Sequence, residues 1–412
     1  MRQEQVYIIG AGISGLIAAT VLEKNGFKPI IIESTDSVGG RVKTDIVNGY
    51  QLDHGFQVLL TSYPAAKKYL DYTTLELQKF LPGTVIFKNK KKSILGDPLR
   101  ESSFLFSTLF SNLVNFSDKL KIFKLSKLLK KKSISAIFTE KELTTIDYLI
   151  NFGFSNHAIQ NFFLPFFSGI FLETELQTSS RMFEFIYKMF STGHAAIPKA
   201  GMEAIPTQLK NNLKQTTFLF NTKVKNVADT KIELVDGSVL YSDIIIIATD
   251  ASKLINSDGN QEKTWKSCQT LYFTTPSKSI QKPIIGLITD PLSLINNIFY
   301  HTNLATNSLP EEELFSVTVV KDHHLHEDLL IKEVTKELTL LCGIDNLQFL
   351  KLYDIPKALP NCEDVHYKVS SEEITLNNHI ILAGDHLLNG SLNAAMLSGE
   401  LAAMAAIKVL DN

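Results

Sequence analysis

The sequence predicts an α/β fold in which two discontinuous domains are interleaved along the chain. The chain opens with an apolar run at Val6–Ile9, a glycine-rich turn, an amphipathic stretch at Leu16–Lys24 and a second apolar run at Ile30–Ile32. This alternation of strand and helix is typical of a parallel sheet with crossover helices. The end of the chain repeats the pattern from His379–Leu382. Length also favours two domains, because 412 residues exceed the size at which single cores usually stop growing.

A dinucleotide-binding loop is predicted where the first strand passes into the first helix. Gly10, Gly12 and Gly15 form a GxGxxG pattern, with Ile13 and Ser14 between the last two glycines. In such a loop the first glycine allows a tight turn, the second lets a pyrophosphate approach the backbone, and the third lets the helix pack on the strand. The helix N-terminus then offers N–H groups and a positive dipole end to the phosphates.

An acidic residue follows at the end of the second strand. Glu33, with Ser34 after it, stands where a carboxylate accepts hydrogen bonds from a ribose diol. Strand, helix and acid all lie in the expected context, so we predict a Rossmann-type site rather than a coincidental glycine loop.

The next residues indicate which dinucleotide is bound. Glu33, five intervening residues and then Gly39, Gly40 and Arg41 match a pattern that is typical of FAD enzymes rather than NAD enzymes. The pattern resembles that of the flavin-containing amine oxidase superfamily, which also holds protoporphyrinogen oxidases and phytoene desaturases. The resemblance implies FAD as the cofactor and a Rossmann-type, GR2-like FAD-binding domain. Paired glycines let the chain pass close under a cofactor, and Arg41 can place its guanidinium near phosphate or flavin.

Further resemblance to this superfamily follows along the chain. The segment with Gly55, Phe56 and Gln57 resembles the one that runs beside the flavin ring. Val224 resembles the position whose backbone meets the adenine, and Ala248 follows a strand that resembles the one closing the FAD domain. These residues are therefore implied to contact the cofactor.

The most specific resemblance lies near the C-terminus. Gly384 and Asp385 resemble the pair that binds the ribityl and diphosphate region. A small-residue helix follows, and in the superfamily its N-terminus faces the pyrimidine edge of the flavin, where it favours the negative charge of the reduced ring. The residues implied at this helix N-terminus are Ser391, Leu392, Asn393 and Ala394.

Two further segments complete the predicted organisation. Residues 86–199 are rich in Phe, Leu, Ser and Lys and are predicted to be mainly helical, whereas residues 263–349 are predicted to form strands and then a helix. We assign both to a discontinuous α+β substrate domain. The remaining ranges form the predicted FAD-binding domain: 1–85, 200–262 and 350–412.

Composition limits the class of protein and the compartment in which it is expected. With 44% hydrophobic and 20% charged residues the chain is an ordinary globular one, and a net charge of −2 provides no field that would attract nucleic acid. Cys268, Cys342 and Cys362 form no CxxC pair, which favours a reducing compartment and disfavours a zinc site. Met1–Gln5 leave no room for a signal peptide before the first strand, and no apolar run has the roughly 18 to 20 residues of a membrane span. We therefore expect a cytoplasmic protein, attached to a membrane at most peripherally.

The sequence departs from classical amine oxidases in one respect. Those enzymes share a lysine that lies near flavin N5, on a strand soon after the segment that closes the FAD domain. When Gln269–Phe273 is taken as the corresponding strand, Cys268 stands at the position of this lysine and Lys266 is two residues away. The covalent-flavin cysteine motif of monoamine oxidases is also absent near the C-terminus. Both departures disfavour amine oxidation without affecting FAD binding. Segments such as Pro165–Phe171 instead resemble the protoporphyrinogen oxidase and desaturase branch.

Catalytic and metal-binding side chains are weakly indicated. His54 is a candidate acid or base, although a positional role beside the cofactor is the simpler reading. Arg181 could pair with a substrate carboxylate or with an acid at the domain interface. The histidines between a predicted strand and helix sit in a charged turn, so we predict no metal site there: His323, His324 and His326.

A basic, apolar segment at 104–132 allows two interpretations. Ile122, Leu125 and Leu129 fall on one helical face and lysines populate the rest, so the helix could lie on an anionic bilayer. The alternative is a helix that packs on the substrate domain and exposes its charged face.

The residues and the resemblance together predict an FAD-dependent oxidoreductase. A phenylalanine-rich stretch would suit an apolar or polycyclic substrate, which passes a hydride to flavin N5 in a desaturase or oxidase reaction: Phe162, Phe163, Phe166, Phe167 and Phe171. One alternative is an amine oxidase. Another is a non-catalytic scaffold, as in Rab GDP-dissociation inhibitors, which resemble this superfamily in fold. The sequence does not indicate the electron acceptor or the oligomeric state.

Overall fold

A computed structural model describes most of the chain. The described residues are 4–88, 90–97, 100–104, 114–255, 264–308 and 311–411. Of the predicted membrane-facing segment 104–132, residues 105–113 lie outside the described residues.

A five-stranded parallel sheet forms the centre of the FAD-binding part. Its strands are short, apolar and rich in isoleucine, as expected for a sheet that is covered on both faces. In spatial order they are Thr217–Leu219, Ile30–Ile32, Val6–Ile9, Ile244–Ile247 and Ile380–Leu382. Ile8 pairs with Ile31 on one side and with Ile246 on the other, so the first strand lies in the middle of the sheet. Residues from both ends of the chain thereby meet in one sheet.

Helices cover one face of this sheet and a small antiparallel sheet covers the other. The helices Ile13–Lys24 and Leu392–Leu410 pack on the side of Ile8 and Ile246. On the opposite face, Ile9 and Ile247 pack against a three-stranded sheet formed by Val224–Ala228, Lys231–Leu234 and Val239–Tyr241. The result is a three-layer unit with the glycine loop at the carboxyl end of the central strand of the parallel sheet.

A seven-stranded mixed sheet forms the centre of the second unit. In spatial order its strands are Gln348–Pro360, Trp265–Thr275, Glu313–Val319, Ile295–Tyr300, Ile285–Ile288, Gly83–Lys88 and Lys91–Gly96. The helix Glu327–Glu337 covers it with Leu330 and Val334, which share an apolar core with Phe273 and Phe315 of the sheet. The expected strands and helix of residues 263–349 are therefore present.

The prediction that residues 86–199 are mainly helical is wrong near both ends of that range. Lys91–Gly96 pairs with Gly83–Lys88 at the edge of the seven-stranded sheet, and Ala195–Ile197 forms another strand. The region 116–192 is helical, as predicted. Its α-helices are Phe116–Lys131, Ile134–Thr139, Thr145–Asn151, Asn156–Ala158, Leu164–Phe171 and Ser180–Thr192. A π-helical turn, Ile159–Phe163, precedes Leu164–Phe171, and a second one, Leu338–Cys342, continues the helix that covers the seven-stranded sheet. Leu125 and Leu129, which the sequence placed on a possible membrane-facing stripe, are fully buried, so that stripe serves core packing instead.

Shorter elements connect the two units. Among the described residues, the other α-helices are Pro64–Tyr69, Ala204–Asn212 and Ser371–Ile374. The 3₁₀ turns are Ser102–Phe104, Ala251–Lys253, His301–Asn303 and Asp385–Leu387. Two small antiparallel sheets pair Thr44–Val47 with Tyr50–Asp53, and Ala195–Ile197 with Leu59–Leu60 and Gln78–Lys79.

Two of the proposed domain boundaries fall inside strands of the seven-stranded sheet. The boundary after residue 85 cuts Gly83–Lys88, and the boundary before residue 350 cuts Gln348–Pro360. A division by sheet membership would assign both strands to the substrate domain. The boundaries themselves stay predictions.

The C-terminal helix has the length and apolarity of a membrane span, and among the described residues no other helix does. About half of it is buried inside the protein. It packs on the parallel sheet through residues such as Ala402, Ala403 and Ala406. These contacts are those of a core helix.

Candidate active site

The glycine loop has the close contacts that its sequence predicts. Gly10 adopts a left-handed backbone with φ +104°, and its N–H donates to the carbonyl of Ile32 at 2.8 Å. A β-carbon at Gly15 would lie 2.0 Å from the carbonyl oxygen of Gly10, so only glycine permits this approach of helix to strand. A β-carbon at Gly12, in contrast, would meet nothing within 4 Å. Gly12 faces an open cavity, as a backbone that receives a pyrophosphate must.

Glu33 is held rigidly beside this loop. One carboxylate oxygen accepts the N–H of Ala11 at 2.8 Å. The other accepts the N–H of Thr35 at 2.9 Å, and the hydroxyls of Ser34 and Thr35 at 3.2 and 3.0 Å. These bonds fix the carboxylate at the cavity wall, where it can receive a ribose diol.

The paired glycines cross next to the first loop. Gly39 donates its N–H to the carbonyl of Ala11 at 2.9 Å, and both Gly39 and Gly40 adopt positive φ, +119° and +60°. A β-carbon at Gly39 would lie 2.4 Å from the carbonyl oxygen of Val42. The two glycines are therefore required by a backbone crossing at the cavity wall.

Arg41 joins the N-terminal and C-terminal halves of the site. Its guanidinium forms an ion pair with Asp385 at 2.5 Å and lies over the ring of Trp265, 5.2 Å from the centroid. Lys357 lies over the same ring at 5.4 Å and pairs with Asp250 at 2.7 Å. Two cations thus line one part of the cavity, each bound to a carboxylate.

The C-terminal half of the site is a turn followed by a helix N-terminus. Gly384 donates its N–H to the hydroxyl of Ser398 at 2.8 Å, which fixes the turn against the helix Leu392–Leu410. Ser391 caps that helix by accepting the N–H of Ala394 at 3.0 Å. The helix N-terminus, with its positive dipole end, therefore opens into the same cavity as Gly12.

A cavity of about 1950 Å³ connects these pieces. Most of the predicted cofactor residues lie in its wall: Gly10, Gly12, Ile13, Ser14, Glu33, Ser34, Gly39, Gly40, Arg41, Phe56, Gln57, Val224, Ala248, Gly384, Asp385, Ser391 and Leu392. Residues that are distant in sequence thus surround one space, although their individual contacts with a cofactor stay predictions.

Four predicted cofactor residues do not line the cavity. Gly15 lies one helical turn below the loop, against the carbonyl of Gly10. Gly55, with φ +95°, faces the side chain of Ile355. Asn393 turns its side chain towards the helix Pro64–Tyr69 and accepts the N–H of Ala65 at 3.0 Å, and Ala394 is fully buried. The predicted contacts of these four residues with the cofactor stay predictions.

The phenylalanine-rich stretch forms an apolar wall of the cavity. Phe162, Phe166, Phe167 and Phe171 line it. Phe163 was expected there too, but the π-helical turn before Leu164 rotates it into the core, where it packs on Phe154 at 4.7 Å between ring centroids. Phe162 and Phe166 are partly exposed and can contact a ligand, whereas Phe167 and Phe171 are 1% exposed and border the cavity from the core.

Lys266 lies in the cavity wall and Cys268 does not. The strand extends to Trp265, and an irregularity between positions 266 and 268 breaks the alternation of its faces. Lys266 Nζ donates to the carbonyl of Phe171 at 3.1 Å and to the hydroxyl of Thr178 at 3.0 Å. Burial lowers the pKa of the Lys266 ammonium below its usual range. The cavity wall thus contains a lysine amine two residues away from Cys268, which the resemblance places at the lysine position of classical amine oxidases.

The two weak catalytic candidates lie outside the cavity wall. His54 stacks at 4.5 Å on the ring of Tyr353, and its Nε2 lies 2.9 Å from a carboxylate oxygen of Asp45. Arg181 donates to the carbonyl of Glu140 at 2.7 and 2.9 Å and pairs with Glu142 at 3.4 Å. Both side chains are therefore engaged within the protein.

One histidine of the charged turn, His323, is engaged locally. His323 Nε2 lies 2.6 Å from the side-chain oxygen of Gln269, and His323 Nδ1 accepts the N–H of Leu325 at 3.2 Å. In the described part of the chain, no group of three or more His, Cys, Asp or Glu side chains is arranged to hold a metal ion.

Several cavity residues were missed from the sequence. Trp265 is the only tryptophan of the chain and underlies both Arg41 and Lys357; a single tryptophan at the start of a strand was the signal that could have identified it. Arg100 donates to the carbonyls of Phe190 and Gly193 at 2.6 and 2.5 Å. It lies in an irregular segment without any motif, so no sequence signal identified it.

Comparison with known proteins identifies the family. Residues 13–407 match the family described as flavin containing amine oxidoreductase. The chain belongs to this family. It is an FAD-dependent oxidoreductase, which sets aside the alternative of a non-catalytic scaffold. The open backbone at Gly12, the fixed carboxylate of Glu33 and the two helix N-termini on one cavity fit FAD as its cofactor.

Relatives of this flavoenzyme share its full length or single segments. The protein MJ1488 of Methanocaldococcus jannaschii is 25% identical over 99% of this chain and 98% of its own length. Protoporphyrinogen oxidase 2 of Arabidopsis thaliana is 26% identical, over 36% of this chain and 31% of its own.

Solved structures share the fold of this flavoenzyme. One from Exiguobacterium sp. 255-15, assigned as a protoporphyrinogen oxidase, has a TM-score of 0.74 at 17% identity, and the match covers 100% of each chain. A putrescine oxidase bound to putrescine has a TM-score of 0.65 at 14% identity, covering 100% of this chain and 99% of that one. At these identities the likeness shows the fold.

Proposed function

We propose that this flavoenzyme oxidises a large apolar or polycyclic organic substrate, in a desaturase- or oxidase-type reaction. The observation that carries the proposal is that the four-phenylalanine wall and the glycine loop belong to one continuous cavity. Its volume of about 1950 Å³ exceeds the roughly 300–1,000 Å³ of an ordinary small-molecule pocket. Such a cavity has room for a substrate beside the dinucleotide.

Bound FAD supplies the hydride acceptor of this reaction at flavin N5. The chain's own residues provide the surroundings. Phe166 packs edge-on against Phe167 and Phe190, with centroids 5.3 and 5.5 Å apart, and these rings exclude water and hold an apolar substrate by its faces. Removing water from the reaction space strengthens every polar contact that remains there.

Lys266 supplies a polar group beside this apolar wall. Its amine is anchored to the carbonyl of Phe171, the last residue of the helix that carries the rings. With its pKa lowered by burial, it can hold or release a proton more readily than an exposed lysine. A proton-transfer role for Lys266 at the substrate is part of this proposal.

An amine oxidase is the second candidate. Lys266 in the cavity wall favours an amine oxidase, because it provides a lysine amine close to the position where Cys268 replaces the lysine of classical amine oxidases. The fold likeness to putrescine oxidase is compatible with it. The aromatic wall favours the apolar substrate over a small charged amine.

Anaerobic titration of the FAD-loaded protein tests the proposal. Candidate carotenoid, porphyrinogen and amine substrates are added in turn, and loss of the oxidised flavin absorbance is followed. We expect bleaching by a carotenoid or porphyrinogen. Bleaching by amines alone would establish the second candidate instead.

A matched pair of variants then locates the substrate. Phe166→Ala removes part of the aromatic wall, and Phe218→Ala removes a ring outside the cavity. We expect Phe166→Ala to raise KM about tenfold or more, since a fully buried Phe contributes about 1.5–3 kcal/mol. Phe218→Ala should leave KM unchanged. Equal effects of the two variants would contradict the placement of the substrate.

The proposal includes a cytoplasmic location. Cys268 and Cys342 are buried thiols that form no disulfide within the described part of the chain, which suits a reducing compartment. Fractionation of the native host cell, with the protein followed by antibody, tests this location.

A further inference from the structure

The helix Phe116–Lys131 has an apolar outer face in addition to its buried one. Leu125 and Leu129 anchor the helix in the core, and the buried Asp118 accepts the N–H and the hydroxyl of Ser155. Phe116, Leu120 and Phe123 follow one another at helical spacing on the opposite side, and 68%, 57% and 54% of their surfaces are exposed. Three large apolar side chains in one exposed row are unusual on a soluble surface.

Lysines continue the same face towards the C-terminal end of the helix. The exposed ones are Lys124, Lys127, Lys130 and Lys131. None of these four forms an ion pair with another side chain in the described ranges. Asp118 is the one acidic residue between positions 116 and 131, and its carboxylate faces inwards. The outer face therefore combines an apolar row with uncompensated positive charge.

This face also borders the opening of the cavity. Phe116, Phe123, Lys127 and Lys130 are exposed, yet the same residues line the cavity together with Ile122. A residue that is both exposed and cavity-lining marks the place where the cavity meets the outside. The aromatic row and the lysines thus surround an entrance to the space that contains the phenylalanine wall.

We propose that the outer face of helix 116–131 docks on an anionic lipid bilayer, so that the cavity opens towards the membrane. Phe116, Leu120 and Phe123 insert at the level of the lipid headgroups, and the lysines contact anionic headgroups. The charge pattern favours a bilayer over a protein partner, because no acidic side chain on this face provides the paired, directional contacts of a specific protein interface. This inference does not depend on the proposed substrate, since docking is measured without turnover.

Vesicle flotation of the full-length, FAD-loaded protein tests the docking. The probes are vesicles of phosphatidylcholine alone and of phosphatidylcholine mixed with phosphatidylglycerol. We expect binding to the mixed vesicles, weak binding to the neutral ones, and a loss of binding when salt is raised.

Two sets of variants assign the binding to this helix. Phe116→Ser, Leu120→Ser and Phe123→Ser together remove the apolar row. The lysine set replaces the four side chains by glutamine: K124Q, K127Q, K130Q and K131Q. Each lysine near an anionic surface contributes about a fivefold change in binding, so the lysine set should lower binding by about a hundredfold or more. The bound-flavin spectrum reports whether each variant is folded.

Matched controls change the same chemistry elsewhere on the surface. Leu292→Ser with Leu329→Ser removes exposed apolar side chains far along the sequence from the helix. The charge control replaces four other exposed lysines: K28Q, K67Q, K91Q and K332Q. Both controls should bind the mixed vesicles as the unmodified protein does. Absence of binding to either vesicle type, or equal losses in control and helix variants, would overturn the proposal.

Discussion

Gly399 lies directly against the carbonyl oxygen of Ser14. A β-carbon at position 399 would be 2.2 Å from that oxygen, well inside van der Waals contact. Ser14 belongs to the first turn of the helix that follows the glycine loop, and Gly399 belongs to the C-terminal helix. The two helices whose N-termini open on the cofactor cavity therefore approach most tightly where only glycine fits, at this backbone contact.

Replacing Gly399 by alanine should separate these helices. The added methyl group cannot fit, and overpacking of this kind typically costs about 1–3 kcal/mol of stability. We expect a lower free energy of unfolding in urea and weaker FAD binding, because both helix N-termini move relative to one another. Met404→Ala, at an exposed position of the same helix, is the control and should change neither quantity. Unchanged FAD affinity in Gly399→Ala would show that the contact does not position the site.

The glycine loop makes a prediction that separates folding from cofactor binding. At Gly12 a β-carbon meets nothing and the backbone has φ −71°, so Gly12→Ala should fold with nearly unchanged stability as the apoprotein. The affinity of Gly12→Ala for FAD should nevertheless fall by about tenfold or more, because the methyl group occupies the space of the pyrophosphate. Gly15→Ala should instead destabilise the apoprotein itself, since its β-carbon would lie 2.0 Å from the carbonyl of Gly10.

Urea unfolding of the apoproteins and fluorescence titration with FAD provide the two measurements. The pair of variants serves as its own control, because both replace a glycine of the same motif by alanine. If Gly12→Ala bound FAD as tightly as the unmodified protein, the pyrophosphate could not lie against this residue.

Much of this site could be predicted from the sequence because its motifs are local. The GxGxxG loop and Glu33 each depend on backbone geometry within a few residues. The structure places Gly10, Gly12 and Glu33 at one cavity and packs Gly15 against the carbonyl of Gly10. The rotation of Phe163 into the core could not be predicted, because it results from a π-helical turn that no sequence pattern marks. The exposure of Lys266 to the cavity depends on a strand irregularity that is set by pairing with a strand about ninety residues later.

The same contrast applies to the helix Phe116–Lys131. The spacing of its apolar residues predicted a helix, but apolar side chains occur on both faces of that helix, so the spacing did not indicate which face is buried. Only tertiary packing determines that Leu125 faces inwards and Phe123 outwards.

Asp53 should make folding stability depend on pH. Burial raises the pKa of its carboxyl to about 6, from an ordinary value of 3.8, although Thr44 Oγ1 and Met202 N donate to it at 2.6 and 2.9 Å. The folded chain therefore binds this proton more tightly than the unfolded chain. The resulting stabilisation is complete below about pH 4 and is lost as pH rises through about 6, a change of about 3 kcal/mol.

Comparison with Asp53→Asn isolates this contribution. The free energy of unfolding of the FAD-saturated protein is measured in urea from pH 4 to pH 7. We expect the difference between the unmodified protein and Asp53→Asn to shift by about 3 kcal/mol over this range, in the direction that favours the unmodified protein at low pH. Asp36→Asn, at an exposed position, should show a constant difference. Parallel curves for Asp53→Asn would mean that the carboxyl titrates alike in both states.

Lys266 should influence the reduction potential of the bound flavin. Reduction adds negative charge to the flavin, and a cationic amine in the same cavity favours the reduced form. We expect Lys266→Met to lower the two-electron midpoint potential by about 30 mV, which corresponds to about 1.4 kcal/mol. Photoreduction in the presence of a reference dye of known potential measures this midpoint potential in both proteins.

The pH dependence of that potential identifies the lysine charge as the cause. Burial lowers the pKa of Lys266, so the ammonium loses its proton below the pH at which an ordinary lysine does, near 10.5. The difference between the unmodified protein and Lys266→Met should therefore shrink as pH rises towards that value. Cys268→Ala, two residues away and outside the cavity wall, should leave the potential unchanged at every pH. A difference that persisted undiminished at high pH would point to altered packing around the flavin rather than to the charge of Lys266.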